Sequence, residues 1–160
     1  MELKIGIGFD IHRLTKGKKL VLGGVKFDHP KGLLGHSDGD VLLHALCDAL
    51  LGGTGLGDIG DYFPDTNYKY KNMDSAFFVK EVLKKLQKIK CKLQGVDAII
   101  FAEEPKLDKK KIRIKNKLAK LLRISRNNVN VKAKTMEGLG PIGAKKAIAA
   151  IALATLKSTK

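Results

Sequence analysis

Near the N-terminus, Leu3, Ile5, Ile7, Phe9 and Ile11 alternate with Lys4, Gly6, Gly8 and Asp10. Successive side chains of a strand leave opposite faces. A period of two therefore fixes an opening β-strand and puts Asp10 and His12 together on its second face. By itself an Asp-x-His pair is more often a satisfied polar pair at a strand end than a metal site. Here His44 stands in a second element and can supply a third donor. Asp48, one turn beyond, can orient that imidazole by accepting its other N–H. An Asp/His/His set with an open fourth position suits catalytic zinc, whereas structural zinc sites are closed, usually by cysteines.

Further along, residues 19–27 with Gly23-Gly24 at their middle read as a β-hairpin. The turn His36-Ser37-Asp38-Gly39-Asp40 opens a helix to about residue 51, with Ser37 or Asp38 as cap and Asp40 in the first turn. The glycines of 52–60 stop it, and Phe63 to Asn67 form a loop. Phe77, Phe78, Val82, Leu83 and Leu86 recur at helical spacing over 74–88, behind Asp74 as cap. A buried strand is expected over 96–101, then the turn Glu103-Glu104-Pro105-Lys106, a Lys-rich helix over 108–122 and a strand over 129–134. Gly138, Gly140, Pro141 and Gly143 read as a loop. Residues 144–156 are ambiguous, because their alanines favour helix while their short apolar, β-branched run suits a buried strand. This alternation describes one α/β domain, and 160 residues are the usual size for one.

The formal charge of +15, from 31 Lys+Arg against 16 Asp+Glu, concentrates anions around the protein. Nucleic acid, a membrane surface and phosphorylated metabolites all fit that field. The lysines of 106–120 occupy mainly the polar side of their helix without interleaved aromatics, which disfavours single-strand nucleic-acid binding. No apolar stretch is long enough to cross a bilayer; 147–156 comes nearest. Cys47 and Cys91 are too few for a disulfide framework and fit a reducing compartment. With no targeting segment before the first strand, a cytoplasmic protein is expected. Gly52-Gly53-Thr54-Gly55-Leu56-Gly57 is not a P-loop, since no Gly-Lys-Ser/Thr follows. A basic nucleic-acid-binding domain and a structural metal module are the competing readings. The first predicts binding that survives Asp10→Ala, the second unfolding on metal removal.

In order along the chain, Gly8-Phe9-Asp10-Ile11-His12-Arg13, Leu22-Gly23-Gly24-Val25, His36-Ser37-Asp38-Gly39-Asp40-Val41-Leu42-Leu43-His44-Ala45, Leu56-Gly57-Asp58-Ile59-Gly60 and Phe63-Pro64-Asp65 form one series. Pro105-Lys106 and Val129-Asn130-Val131-Lys132-Ala133, with Thr135 and Glu137, continue it. The series resembles the 2-C-methyl-D-erythritol 2,4-cyclodiphosphate synthase family of the non-mevalonate isoprenoid pathway. The resemblance implies a single two-layer α/β domain over 1–160, with a mixed β-sheet and a protruding β-hairpin. It also implies a homotrimer with active sites between subunits, and a strand for the ambiguous C-terminal segment.

It further implies zinc on Asp10, His12 and His44, and a second ion, Mg2+ or Mn2+, on Glu137. His36 and Thr135 would stabilise the transition state, and Asp58, Ile59, Gly60 and Phe63, Pro64, Asp65, Thr66 and Asn67 would hold the erythritol phosphate. Ala102, Pro105 and Lys106 would hold the cytidine end, with Asp10, His12, Ser37 and Lys134 also against substrate. Where the family usually has an aromatic and a Gly-Arg pair facing an axial channel, this chain has Pro141 and Gly143-Ala144. Alanine offers a diphosphate no donors, so isoprenoid diphosphates are expected to bind weakly there.

Overall fold

The computed structural model describes residues 2–158. The elements are β1 (Glu2–Lys16), β2 (Leu20–Leu22), β3 (Val25–Phe27), β4 (Lys31–Leu33), α1 (Val41–Gly52), α2 (Ile59–Tyr62), α3 (Ser75–Lys88), β5 (Cys91–Phe101), α4 (Lys111–Leu122), β6 (Val129–Lys134), α5 (Gly140–Gly143) and β7 (Ala147–Ser158). Five strands form one mixed sheet in the order β4-β1-β7-β5-β6; only β5 and β6 run parallel. β2 and β3 pair antiparallel across Gly23-Gly24, and Leu20, Leu22, Val25 and Phe27 are buried, so the pair lies on the body of the molecule.

β1 shows the predicted alternation with an unusual choice of sides. Gly6 and Gly8 face α1, where a Cβ would stand 1.9 Å from the carbonyl oxygens of Ala49 and Ala45 respectively. The helix backbone thus rests on the strand backbone, a contact only glycine permits. The apolar alternates turn outward: Leu3, Ile5, Ile7, Phe9 and Ile11 remain 44–68% exposed.

The C-terminal segment is a strand. β7 is central, paired to β1 on one side and β5 on the other. Ala150, Ala152 and Ala154 are fully buried, so small side chains here admit close packing and tertiary burial overrides alanine's helix preference. Three boundaries differ from expectation. Asp40, not Ser37 or Asp38, caps α1: its backbone is extended and its carboxylate accepts from the N–H groups of Leu42 and Leu43. The same carboxylate accepts from Gly23 and Gly24, 2.9 and 2.6 Å away, which ties the β2–β3 turn to the helix. β5 starts at Cys91 rather than 96 because it pairs with β7 through a bulge near Gly95. α4 begins at Lys111 rather than 108, and no side chain caps it.

Candidate metal centre and substrate cavity

The glycine contact brings the inner face of β1 against α1, and the three predicted ligands meet beside it. Asp10 Oδ2 lies 2.8 Å from His12 Nε2 and 3.0 Å from His44 Nδ1, and the two imidazole nitrogens are 3.0 Å apart. Tetrahedral zinc with bonds of about 2.0–2.1 Å needs ligand atoms about 3.3 Å apart, so a small expansion fits an ion. Among the described residues this is the one group of three that can hold a metal. An imidazole N–H can donate to the Asp10 carboxylate, and a cation in its place can take a lone pair from all three atoms. Burial pushes the Asp10 pKa up, but hydrogen bonds and charge from His12 and His44 outweigh it and hold the carboxyl well below its usual range. Burial pushes His12 down, yet its bond to Asp10 and that carboxylate's charge leave it above the ordinary imidazole value.

Asp48 does not orient His44. Its Oδ1 accepts from the Ile59 N–H at 2.8 Å, anchoring the start of α2, while His44 Nε2 faces Ser75 Oγ at 2.9 Å and Ser37 Oγ at 3.0 Å. One helical turn set the right neighbourhood but the carboxylate turned to a closer donor. Burial, then the charge of Asp58, raises the Asp48 pKa.

A cavity of about 510 Å3 opens from the ligands and is lined by His36, Ser37, Ile59, Gly60, Phe63, Pro64 and Asp65 among others. Asp58 lies beside it as the cap of α2, its Oδ1 accepting from Gly60 and Asp61. Asn67 joins by its carbonyl, 3.1 Å from His36 Nε2; Thr66 is in the same loop but not in the lining. Phe78 and Tyr70 also line the cavity and stack around Phe63, at ring separations of 4.8 and 5.5 Å. Sequence reasoning placed Phe78 only on a core helix face and missed Tyr70. A burial pattern cannot separate an aromatic that floors a cavity from one that fills a core.

The remaining predicted residues gather elsewhere, at the C-terminal ends of the parallel pair β5 and β6, the usual place for a ligand crevice. The Ala102 N–H donates to the Lys134 carbonyl at 2.9 Å, and the Met136 N–H to Glu103 Oε2 at 3.1 Å. The Thr135 hydroxyl donates to Glu137 Oε1 at 2.6 Å. Pro105 and Lys106 follow Ala102 in the same loop. None of Ala102, Pro105, Lys106, Lys134, Thr135 and Glu137 lines the cavity of the ligand triad. Within one chain the predicted site is therefore two separate clusters. A second cavity of about 540 Å3 shares His12 with the first and is lined also by Ile11, Arg13, Leu14, Pro141, Lys146 and Ala147; Ala144 is not among them.

Comparison with known proteins gives a consistent answer. The YgbB family model matches residues 3–157. A 2-C-methyl-D-erythritol 2,4-cyclodiphosphate synthase of Syntrophomonas wolfei is 46% identical, over 97% of this chain and 99% of its own length. The bifunctional enzyme IspD/IspF of Campylobacter concisus is 48% identical over 98% of this chain, which spans only 42% of that longer protein. A solved 2C-methyl-D-erythritol-2,4-cyclodiphosphate synthase with CDP bound superimposes at a TM-score of 0.88 and 36% identity, covering 96% of this chain and all of that one. With the family model matched from residue 3 to 157 and relatives aligned along nearly the whole length, the glycine-backed three-ligand centre has one assignment: the chain belongs to the YgbB family, the 2-C-methyl-D-erythritol 2,4-cyclodiphosphate synthases.

Proposed function

We propose that this chain, as one domain, converts 4-diphosphocytidyl-2-C-methyl-D-erythritol 2-phosphate to 2-C-methyl-D-erythritol 2,4-cyclodiphosphate and CMP. The observation that carries the reading is the convergence of Asp10 Oδ2, His12 Nε2 and His44 Nδ1 in the lining of a cavity of about 510 Å3. An oxygen of the 2-phosphate forms a bond to the β-phosphorus while the bridging bond from that phosphorus breaks, and the bridging oxygen leaves with CMP. The nucleophile is already an anion, so no strong general base is needed; positioning two anions in line is the difficulty.

Asp10, His12 and His44 would hold zinc, and Glu137 would hold Mg2+ or Mn2+. Bound there, the ions supply charge neutralisation and Lewis acidity at the phosphates. Ile59, Gly60 and the loop from Phe63 to Asn67, with Asp58 bracing α2, would grip the erythritol phosphate. His36 and Thr135 would donate hydrogen bonds as charge moves onto the reacting oxygens. Ala102, Pro105 and Lys106 would receive the cytidine end, with Ser37 and Lys134 against the phosphates.

Because the two clusters are separate within one chain, the site would be completed between subunits of a homotrimer. The exposed apolar face of β1 supports such an assembly. The reading places the enzyme in the cytoplasm with no nucleic-acid or membrane partner; among the described residues no helix is long and apolar enough to cross a membrane. Release of CMP from the named substrate tests it. Turnover should stop with a strong chelator and return with added zinc, and a fully folded, zinc-loaded protein that releases no CMP refutes it.

A further inference from the structure

Behind His44, the buried Ser75 and the partly buried Asp38 are not used by the reaction as described so far. His44 Nε2 points away from the other ligands, 2.9 Å from Ser75 Oγ and 3.0 Å from Ser37 Oγ. Ser75 is fully buried at the start of α3, and its Oγ lies 2.5 Å from Asp38 Oδ1. Asp38 is itself fixed, because Oδ1 accepts from the Asp40 N–H at 3.1 Å and Oδ2 from the Ser75 N–H at 3.2 Å.

The proton count follows from these contacts. A carboxylate taking donors at both oxygens is an acceptor, and a serine hydroxyl has one hydrogen to give. Ser75 gives that hydrogen to Asp38, so toward the imidazole its oxygen can only accept. Ser37, 3.3 Å from Ser75 Oγ, can donate to it and leave the same requirement on His44. The Ser75 oxygen, the nearer of the two to Nε2, thus favours the ring proton on Nε2, which leaves Nδ1 bare. Without this arrangement the opposite tautomer would compete. Asp10 Oδ2, 3.0 Å from Nδ1, would draw the proton to the nitrogen that faces the metal.

We propose that Ser75, backed by Asp38, is a positioning residue that holds the His44 proton on Nε2 and so presents the Nδ1 lone pair to the metal. The proposal rests on the metal reading above. It joins two segments that sequence spacing leaves unrelated, the turn before α1 and the first residue of α3. Metal-ligating histidines are commonly fixed in this way by an outer acceptor, and losing one costs about 10- to 100-fold in metal affinity.

The test uses zinc alone, without substrate, by competition with a chromogenic chelator. Ser75→Ala should bind zinc about 10- to 100-fold more weakly than the native protein. Ser37→Ala, which keeps the Ser75–Asp38 pair, should lose less. In the zinc-loaded native protein, NMR should show a slowly exchanging His44 Nε2–H close to the Ser75 β-protons. That measurement stands even where a variant fails to fold. Unchanged zinc affinity in folded Ser75→Ala, equal losses in the two variants, or no protected Nε2–H in the native protein would overturn the assignment. If the native protein binds no zinc at all, the metal reading fails instead, so the two failures are told apart.

Discussion

The inner face of β1 offers Gly6, Gly8, Asp10 and His12 to α1, while the outer face leaves Leu3, Ile5, Ile7, Phe9 and Ile11 exposed. β7 extends the outer side, with Leu153 opposite Ile7 and Ile151 opposite Phe9. Burial normally claims the apolar face of a strand. Here the chain gives its interior to backbone contact and ligand geometry and spends its apolar residues outside. On the proposed assembly the inner face would be finished within one chain and the outer face against a partner. Half of the predicted site, the triad and its cavity, belongs to the finished side. The other half, around Thr135 and Glu137, waits at the ends of β5 and β6.

The largest effect should come from filling the inner face. Gly8→Ala sets a Cβ 1.9 Å from the Ala45 carbonyl oxygen, which must push α1 off the strand. We expect a loss of about 3 kcal/mol, read by denaturant unfolding, and loss of metal as well. A variant as stable as the native protein would show that the helix does not rest on the strand. Next is His44→Ala, which leaves the packing of α1 largely intact. The protein should remain folded by circular dichroism while turnover drops by at least about 100-fold; stoichiometric zinc with full activity contradicts the ligand assignment.

The outer face should respond differently. Ile7 is 67% exposed, so Ile7→Lys should change the stability of an isolated chain by less than about 0.5 kcal/mol. The same change places a charge where a partner is argued to sit. Sedimentation should show smaller species, and specific activity should fall on dilution. A trimer unaffected by the lysine means the interface lies elsewhere.

The smallest effect is a pH dependence confined to the inner face. Metal binding needs a neutral His12, whose folded value is raised above 6.5. Zinc affinity should therefore begin to fall at a higher pH than for a free imidazole and keep falling as the solution is acidified, with protons released on binding. In the metal-free protein the sign reverses for His12. The raised His12 value contributes stability present below the unfolded histidine value and lost as pH rises through the raised one. The lowered Asp10 value contributes stability present above the unfolded carboxyl value and lost as pH falls through the lowered one. Titration calorimetry in two buffers reads the protons; zinc affinity independent of pH between 5 and 8 contradicts the His12 role.

Much of this was legible because the signals are local. Period-two alternation gave β1 and a polar cap gave α3, while strand and helix placement suggested Asp10, His12 and His44 and the family resemblance made them ligands. Which face of β1 turns inward was not legible, because that depends on how closely α1 approaches. The strand at Ala147–Ser158 was left open by propensity, since its alanines are explained only by neighbours distant in sequence. Ser75 was passed over beside the expected cap Asp74, although it contacts His44 across 31 positions. Asp48 was chosen in its place because it is one turn away, and proximity along a helix says nothing about competing donors such as the Ile59 N–H.

The central claim is that the inner face of one chain and the β5–β6 ends of another complete a single active site. Co-refolding two inactive variants tests it most directly, His44→Ala from the triad and Lys106→Ala from the second cluster. In mixed trimers some sites pair an intact triad with an intact second cluster, so CMP release should recover to a clear fraction of the native rate, although neither variant alone supports it. Mixed trimers that form but stay as inactive as the separate variants would contradict a shared site and put both clusters to work within one chain.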